Sequence, residues 1–390
     1  MKIVHFSNIY FPFICGVSVS LKAYQQELES RGHTVYIFAP SFKNAHGQFN
    51  HRVVRYPSIE TNFKINFSVA LKPYYKIDRI IKQINPDIIH AHQSFWLGRE
   101  ALKYSRRLKR PLFYTYHANY EYYTYYLPIP FKKRFTKYLI NRDIAYCNKC
   151  SAVVAPSKSV ETELLKREIK TQVDIIPTGI NLENFKNSNV GLSKLKKELG
   201  INAQDIVLLF LARLEREKNI DLLIEIIPKI LKKYKKAKFL IVGDGSEKKR
   251  IQAMQDQYKQ RLILTGRVDN KKVAQYYKLA DLFIQTSFTE TQGLTTLEAL
   301  ASGLAVIAVE AQGNAEFVLN GENGYLVKAE KKSFLQAVDR LIKQPKRLNS
   351  FQEKALEVAE QYDIKKCANR MIKLYMKHLM ESGRKSNRSS

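Results

Sequence analysis

Acidic residues are scarce in this sequence. Asp and Glu number 36 against 65 Lys and Arg, a formal charge of +29. That balance excludes an acidic, solvating chain and points to polyanionic partners or an anionic membrane surface. A second reading stays open: lysine enrichment spread over a solvated surface. Cysteine is also rare, with only Cys15, Cys147, Cys150 and Cys367 in 390 residues. So few exclude a disulfide framework and fit a reducing compartment. Cys147 and Cys150 form one CxxC, and no second pair stands nearby to complete four zinc ligands. They read as small buried residues. No apolar run approaches the ~20 residues needed to cross a bilayer. The opening stretch MKIVHFSNIYFPFICG has one lysine and a broken apolar pattern, so it reads as a buried strand and not as a cleavable signal.

What is present is alternation. Apolar, β-branched and aromatic runs fall at 2–8, 33–40, 87–93, 111–117, 151–157 and 173–179, with helical patterns between several of them. The second half repeats the logic at 205–213, 237–245, 261–268, 280–287 and 304–310. Runs that are apolar throughout suit parallel strands covered on both faces. Alternating β and α elements then predict an open, doubly wound α/β domain, twice over. In the first helical stretch Leu21, Tyr24 and Leu28 share a face, Ser18 or Ser20 is a candidate cap, and Gly32 a candidate stop. The polar stretch LENFKNSNVGLS marks a boundary. The expected domains are 1–186 and 187–362, the first facing a membrane and the second binding the ligand. A helix over 363–381 follows, with Ile364, Cys367, Met371, Tyr375 and Leu379 at helical spacing and the option of docking back on the first domain. The tail 382–390 reads as disordered. Ligands of such sheets bind beyond the carboxyl ends of the strands, so two such edges are expected to face each other across a cleft.

The segment FTETQGLTTLEALASG (288–303) carries chemistry. A strand ends at Ser287, a turn follows, and a helix begins. Unpaired amides and the dipole make a helix start an anion site, and Gly293 lets the backbone come close to a phosphate. Glu290 and Glu298 would repel a phosphate they touched. They make sense as acceptors for hydroxyl groups on either side of it, the layout of a nucleotide-sugar. Positive charge comes from LARLEREKNI, where Arg213 and Lys218 follow another strand. Such preorganised charge can be worth several kcal/mol in a dry site. The other reading of Glu298 is a carboxylate favoured by the helix dipole.

The Glu-x7-Glu block, LAR-x4-K, IVGDGS and the opening strand with PFICGVS together resemble the retaining glycosyltransferases with two Rossmann-like domains (the GT-B type), within them glycosyltransferase family 4. The resemblance covers nearly the whole chain. It implies that Glu290 contacts the donor hexose and Glu298 the ribose. It implies that the segment Thr291, Gln292, Gly293 and Leu294 meets the diphosphate with Arg213 and Lys218, and that Gly16 lets the first loop approach the donor. His117, at the end of PLFYTYH, matches the family's histidine beside the sugar, which makes His117, Glu290, Arg213 and Lys218 the catalytic set. Two departures stand out: Val17 where a second glycine is common, and Gln292 where many members have an aromatic. The implied reaction transfers a hexose with retention, without metal or other cofactor. No carboxylate nucleophile is evident, so the acceptor hydroxyl is expected to attack on the face the diphosphate leaves, with a departing phosphate oxygen taking the proton. His117 then positions groups or stabilises charge. A hydrogen-bonded strand-end histidine is the other reading. His90 and His92 share one strand face and lack a third ligand, so they read as lining the site.

Residues 117–142 read HANYEYYTYYLPIPFKKRFTKYLINR. Phe131, Phe135, Tyr138 and Leu139 fall on one helical face, with Lys132, Lys133, Arg134 and Lys137 around them. An interfacial membrane helix looks like this, each cation near an anionic surface contributing about 1 kcal/mol. So does a helix with its aromatic face in the core and its lysines in water. HANYEYYTYYLPIP, YCNKCSAVVAPS, IIPTGINLENF and ETQGLT also resemble the family members that glucosylate diacylglycerol. That resemblance implies UDP-glucose as donor, a membrane lipid such as 1,2-diacylglycerol as acceptor, and a peripheral enzyme on the cytoplasmic face of an anionic membrane. A saccharide, lipopolysaccharide or protein acceptor is the alternative. Nucleic-acid binding is a remote one. The chain lacks zinc-finger spacing, a helix-turn-helix signature and an RNP-type motif, so nonspecific adsorption is expected without specific recognition.

Overall fold

The apolar runs become strands of two separate parallel sheets. The computed structural model describes residues 1–42, 52–61, 67–70, 75–117, 131–186, 190–288 and 292–386. The chain divides into two compact units, Met1–Gly179 with Ile364–Ser390, and Ile180–Asp363.

The first unit holds a seven-stranded sheet. Its strands are β1 (Lys2–Phe6), β2 (Thr34–Pro40), β3 (Val53–Tyr56), β6 (Ile88–Ala91), β7 (Leu112–Thr115), β8 (Ala152–Ala155) and β9 (Val173–Ile175). A small hairpin of β4 (Ser58–Thr61) and β5 (Phe67–Ala70) stands apart. The sheet order is β3-β2-β1-β6-β7-β8-β9, all parallel. The order reverses between β1 and β6, the place where such sheets open a crevice for ligands. Ile3, Val4, Ile88, Ile89, Phe113, Val153 and Val154 are buried, because helices cover both faces. Each such side chain contributes about 1.5–3 kcal/mol of burial. The helix Gly16–Ser30 packs Leu21, Tyr24 and Leu28 inward. Its cap is Cys15, and Ser18 closes the turn by accepting from the Cys15 amide at 2.9 Å.

The second unit has a six-stranded parallel sheet in the order β12-β11-β10-β13-β14-β15. The strands are β10 (Ile206–Leu211), β11 (Ala237–Val242), β12 (Leu262–Gly266), β13 (Leu282–Gln285), β14 (Ala305–Val309) and β15 (Gly324–Val327). Here the reversal falls between β10 and β13. Gly243, in IVGDGS, is required for close approach: a Cβ there would lie 1.9 Å from the Ala212 carbonyl oxygen. That contact packs the loop after β11 against the loop after β10.

The units part at 179/180 and not at 186/187. Ile180, Leu182 and Phe185 are buried in the second unit's core, and the Ile180 amide donates to the Tyr362 carbonyl at 3.0 Å. The closing helix spans Ile364–Ser386, beyond the expected end at 381. It belongs to the first unit, where Ile364, Cys367, Met371 and Tyr375 are buried against Ile3, Tyr24 and Phe113. No described helix is long and apolar enough to cross a membrane.

Candidate active site

Both sets of candidate residues stand where their own sheet reverses order. In the second unit, β10 runs into a 3-10 turn at Arg216–Lys218, and β13 runs through Thr286 and Ser287 toward the helix Leu294–Ala301. Two hydrogen bonds tie these segments. Thr286 Oγ1 donates to the Lys218 carbonyl at 2.6 Å, and Ser287 Oγ to the Glu217 carbonyl at 3.3 Å. Lys218, Thr286 and Ser287 are thereby held at one sheet edge. Arg213 is exposed, and its Nη2 donates to Glu217 Oε1 at 2.9 Å.

Gly293 caps the helix in the left-handed region, at φ 67° and ψ 53°. Any other residue except Asn or Asp would be strained there, and a Cβ would press to 3.2 Å from the Gly313 carbonyl. The first amides of the helix, at Leu294 and Thr295, lack intrahelical acceptors and suit an anion. Gln292 is buried. Asn314, which the sequence did not single out, rivets this corner. Its Nδ2 donates to the Ser287 and Val309 carbonyls at 3.2 and 2.9 Å, and Thr296 Oγ1 donates to its Oδ1 at 3.2 Å. Glu290 and Thr291 lie outside the described residues.

Glu298 accepts from Tyr277 Oη at 2.9 Å. The residue keeps some exposed surface, yet burial of its carboxyl pushes the group up to about 7, and the Tyr277 bond offsets part of that rise. The folded carboxyl therefore binds more protons than the unfolded one between about 4.5 and 7. Stability falls as pH rises through that window. Glu298→Gln removes the loss: thermal melts should show the variant gaining Tm over the parent at pH 8 and little difference at pH 4.5.

In the first unit the candidate His117 is one of four associated imidazoles. The β1–β6 register pairs His5 with His90. His92 and His117 follow β6 and β7. His5 Nδ1 lies 3.0 Å from His92 Nε2, and His92 Nδ1 lies 3.1 Å from His117 Nε2. His90 is bonded to Tyr375 Oη at 2.6 Å and Thr115 Oγ1 at 2.7 Å. Burial holds His117 down to about 4 and His5 to about 3, and His90 and His92 well below the ordinary range. All four are neutral at pH 7. Since each folded value lies under the ordinary 6.5, the unfolded chain binds more protons as pH drops below 6.5. Stability is lost progressively below that point. Gly16 is the first residue of its helix, directly after the Cys15 cap. Among the described residues no group of three or more His, Cys, Asp or Glu is arranged to hold a metal. Cys147 and Cys150 are buried free thiols.

The helix Lys132–Cys147 answers the question of its aromatic face. Its buried side is Thr136, Asp143, Tyr146 and Cys147. Phe131, Phe135 and Tyr138 are 79%, 37% and 53% exposed, so they do not face the core. Lys132, Lys133, Arg134 and Lys137 are exposed beside them. The tyrosines at 120–126 lie outside the described residues.

Two Rossmann-like units, each built on a parallel sheet, are the architecture of the glycosyltransferases of the GT-B type. The model for glycosyl transferases group 1 matches residues 193–358, and that for Glycosyltransferase Family 4 matches 14–184. The chain belongs to glycosyltransferase family 4. It is 35% identical over 315 residues to an alpha-monoglucosyldiacylglycerol synthase of Streptococcus pneumoniae, covering 79% of this chain and 71% of that one. It is 32% identical over 341 residues to one of Acholeplasma laidlawii, covering 83% and 84%. The crystal structure of Anabaena Alr3699/HepE in complex with UDP shares the fold, with a TM-score of 0.75 at 20% identity over 97% of this chain and all of the other.

Proposed function

We propose that this protein transfers glucose from UDP-glucose to the free hydroxyl of 1,2-diacylglycerol at an anionic membrane surface, keeping the anomeric configuration. The similarity to two alpha-monoglucosyldiacylglycerol synthases carries the reading. An α-glucoside made from the α-linked UDP-glucose is a retained product. The outward Phe131, Phe135 and Tyr138, ringed by cations, supply a chemically suited membrane contact.

In this reading Arg213, Lys218 and the amides at Gly293 and Leu294 hold the diphosphate and absorb the charge that develops as it leaves. Thr291 and Gln292 meet the same diphosphate, and Gly16 admits the donor close to the first loop. Glu290 holds the hexose hydroxyls and Glu298 the ribose. Glu298→Gln then weakens UDP-glucose binding even as it raises Tm at pH 8. With His117 neutral, the departing phosphate oxygen takes the acceptor's proton and His117 donates to, or accepts from, a sugar hydroxyl. No metal or cofactor is assigned. The enzyme works as a peripheral protein of the cytoplasmic membrane face, without specific nucleic-acid recognition.

The experiment presents labelled UDP-glucose with vesicles of diacylglycerol and phosphatidylglycerol, and in parallel with soluble saccharide acceptors. The expected product is a monoglucosyl lipid, and glucosylation of the saccharides alone would refute the reading. The triple variant Phe131→Ser, Phe135→Ser, Tyr138→Ser should bind these vesicles at least about tenfold more weakly, since a single buried aromatic is worth about 1.5–3 kcal/mol. Its melting temperature should hardly move, because the three rings are exposed.

A further inference from the structure

The column of imidazoles behind His117 is more than the chemistry above requires. A neutral imidazole carries one N–H, so it donates from one nitrogen and accepts at the other. His92 spends both nitrogens within the column, toward His5 at 3.0 Å and His117 at 3.1 Å. If His92 donates from Nδ1, it accepts at Nε2. His5 then donates from Nδ1, and His117, accepting at Nε2, carries its proton on Nδ1. The reverse register places all three protons on Nε2. Any mixed arrangement sets two N–H groups or two bare nitrogens against each other, a buried mismatch of about 1–3 kcal/mol.

We propose that His5 and His92 are positioning residues, which fix through one shared tautomeric register whether His117 presents an N–H or a bare nitrogen at Nδ1. Its Nε2 is committed to His92, so Nδ1 is the nitrogen left for a substrate. This assignment rests on His117 serving the transferred sugar. The column is braced from the side. His90 stacks on His92 at 4.9 Å with 5° between planes and on His5 at 5.0 Å, and it is itself held by Tyr375 of the closing helix and Thr115. His5 Nε2, at the far end, is buried with no hydrogen-bond partner among the described residues. A cavity of about 10 Å³, bordered by His5, His90, His92 and His117, adjoins the column. It is the size of roughly one water. Burial keeps the rings neutral, which is the condition the register needs.

The test is long-range proton–nitrogen NMR on protein labelled with 15N-histidine at pH 7. His5, His92 and His117 should all be protonated at the same nitrogen type. In His5→Leu the His117 nitrogen shifts should move toward a mixed population, although the two residues do not touch. His5→Asn, whose amide replaces Nδ1, should restore them. Turnover should follow: kcat about tenfold lower in His5→Leu, KM for UDP-glucose within about twofold, and recovery in His5→Asn. Mixed tautomers in the wild type, or a His117 signal indifferent to His5→Leu, would overturn the proposal. If the leucine variant fails to fold, the wild-type spectrum decides alone. A shared register together with an active His117→Ala would instead sink the role given to His117 while leaving the register standing.

Discussion

Lys218→Ala should lower kcat with UDP-glucose by about 10²- to 10³-fold, the usual cost of one preorganised charge-stabilising donor. Thr286 Oγ1 holds the Lys218 carbonyl and the Lys218 amide donates to Glu215 O at 2.9 Å, so the residue is anchored at the sheet reversal. Lys218 as a residue is half-buried. Lys218→Ala removes one positive charge from this sheet edge. Arg213→Ala is a less clean probe, because it also removes the donor that Glu217 Oε1 accepts from at 2.9 Å. Steady-state kinetics with a parallel melt checks the claim: a loss in kcat without a loss in Tm is the expected pattern.

His117→Ala should cost a similar factor, about 10²- to 10³-fold in kcat, while KM for the donor changes little. The residue sits at the end of β7 with Nε2 bonded to His92, so its ring is oriented before any substrate arrives. Its pH behaviour is the sharper signature. Burial lowers His117 to about 4, so the neutral form persists well below the ordinary 6.5. The acid limb of kcat should therefore fall near pH 4–5 and not near 6.5. A limb near 6.5 that persists in Glu298→Gln, whose parent carboxyl is pushed up to about 7, would mean that His117 works as an ordinary solvated imidazole.

Much of this was legible in the sequence, and the reasons differ by element. Runs such as IVLLFL and AKFLIV became strands because continuous apolarity suits a sheet covered on both faces. The strands Val53–Tyr56 and Gly324–Val327 were not legible: Arg55 interrupts the first run, and the second follows directly on the polar stretch Asn320–Asn323 with a glycine at its start. Arg213, Lys218, Gly293 and Glu298 could be proposed from residue type, spacing and the family resemblance. Asn314 and Tyr277 could not, since they act through long-range contacts, to Ser287 O and Glu298, that no local pattern records. The aromatic face of Lys132–Cys147 was visible as periodicity. Which face meets the core is a tertiary fact, settled by the burial of Thr136, Asp143, Tyr146 and Cys147. The unit boundary shifted for the same reason, because Ile180 and Phe185 look like linker in sequence and are core in the fold.

The central claim is that the edge formed after β10 and β13 grips a diphosphate between two polyol arms. Thermal melts across a panel of UDP, UDP-glucose, GDP-mannose and glucose test it most directly. At a hundredfold excess over Kd, a ligand specific for the folded state adds about 2.7 kcal/mol. UDP-glucose should raise Tm markedly, UDP somewhat less and glucose not at all, and the UDP-glucose shift should vanish in Lys218→Ala. A Tm that no nucleotide raises, or a UDP-glucose shift unchanged in Lys218→Ala, would contradict the account.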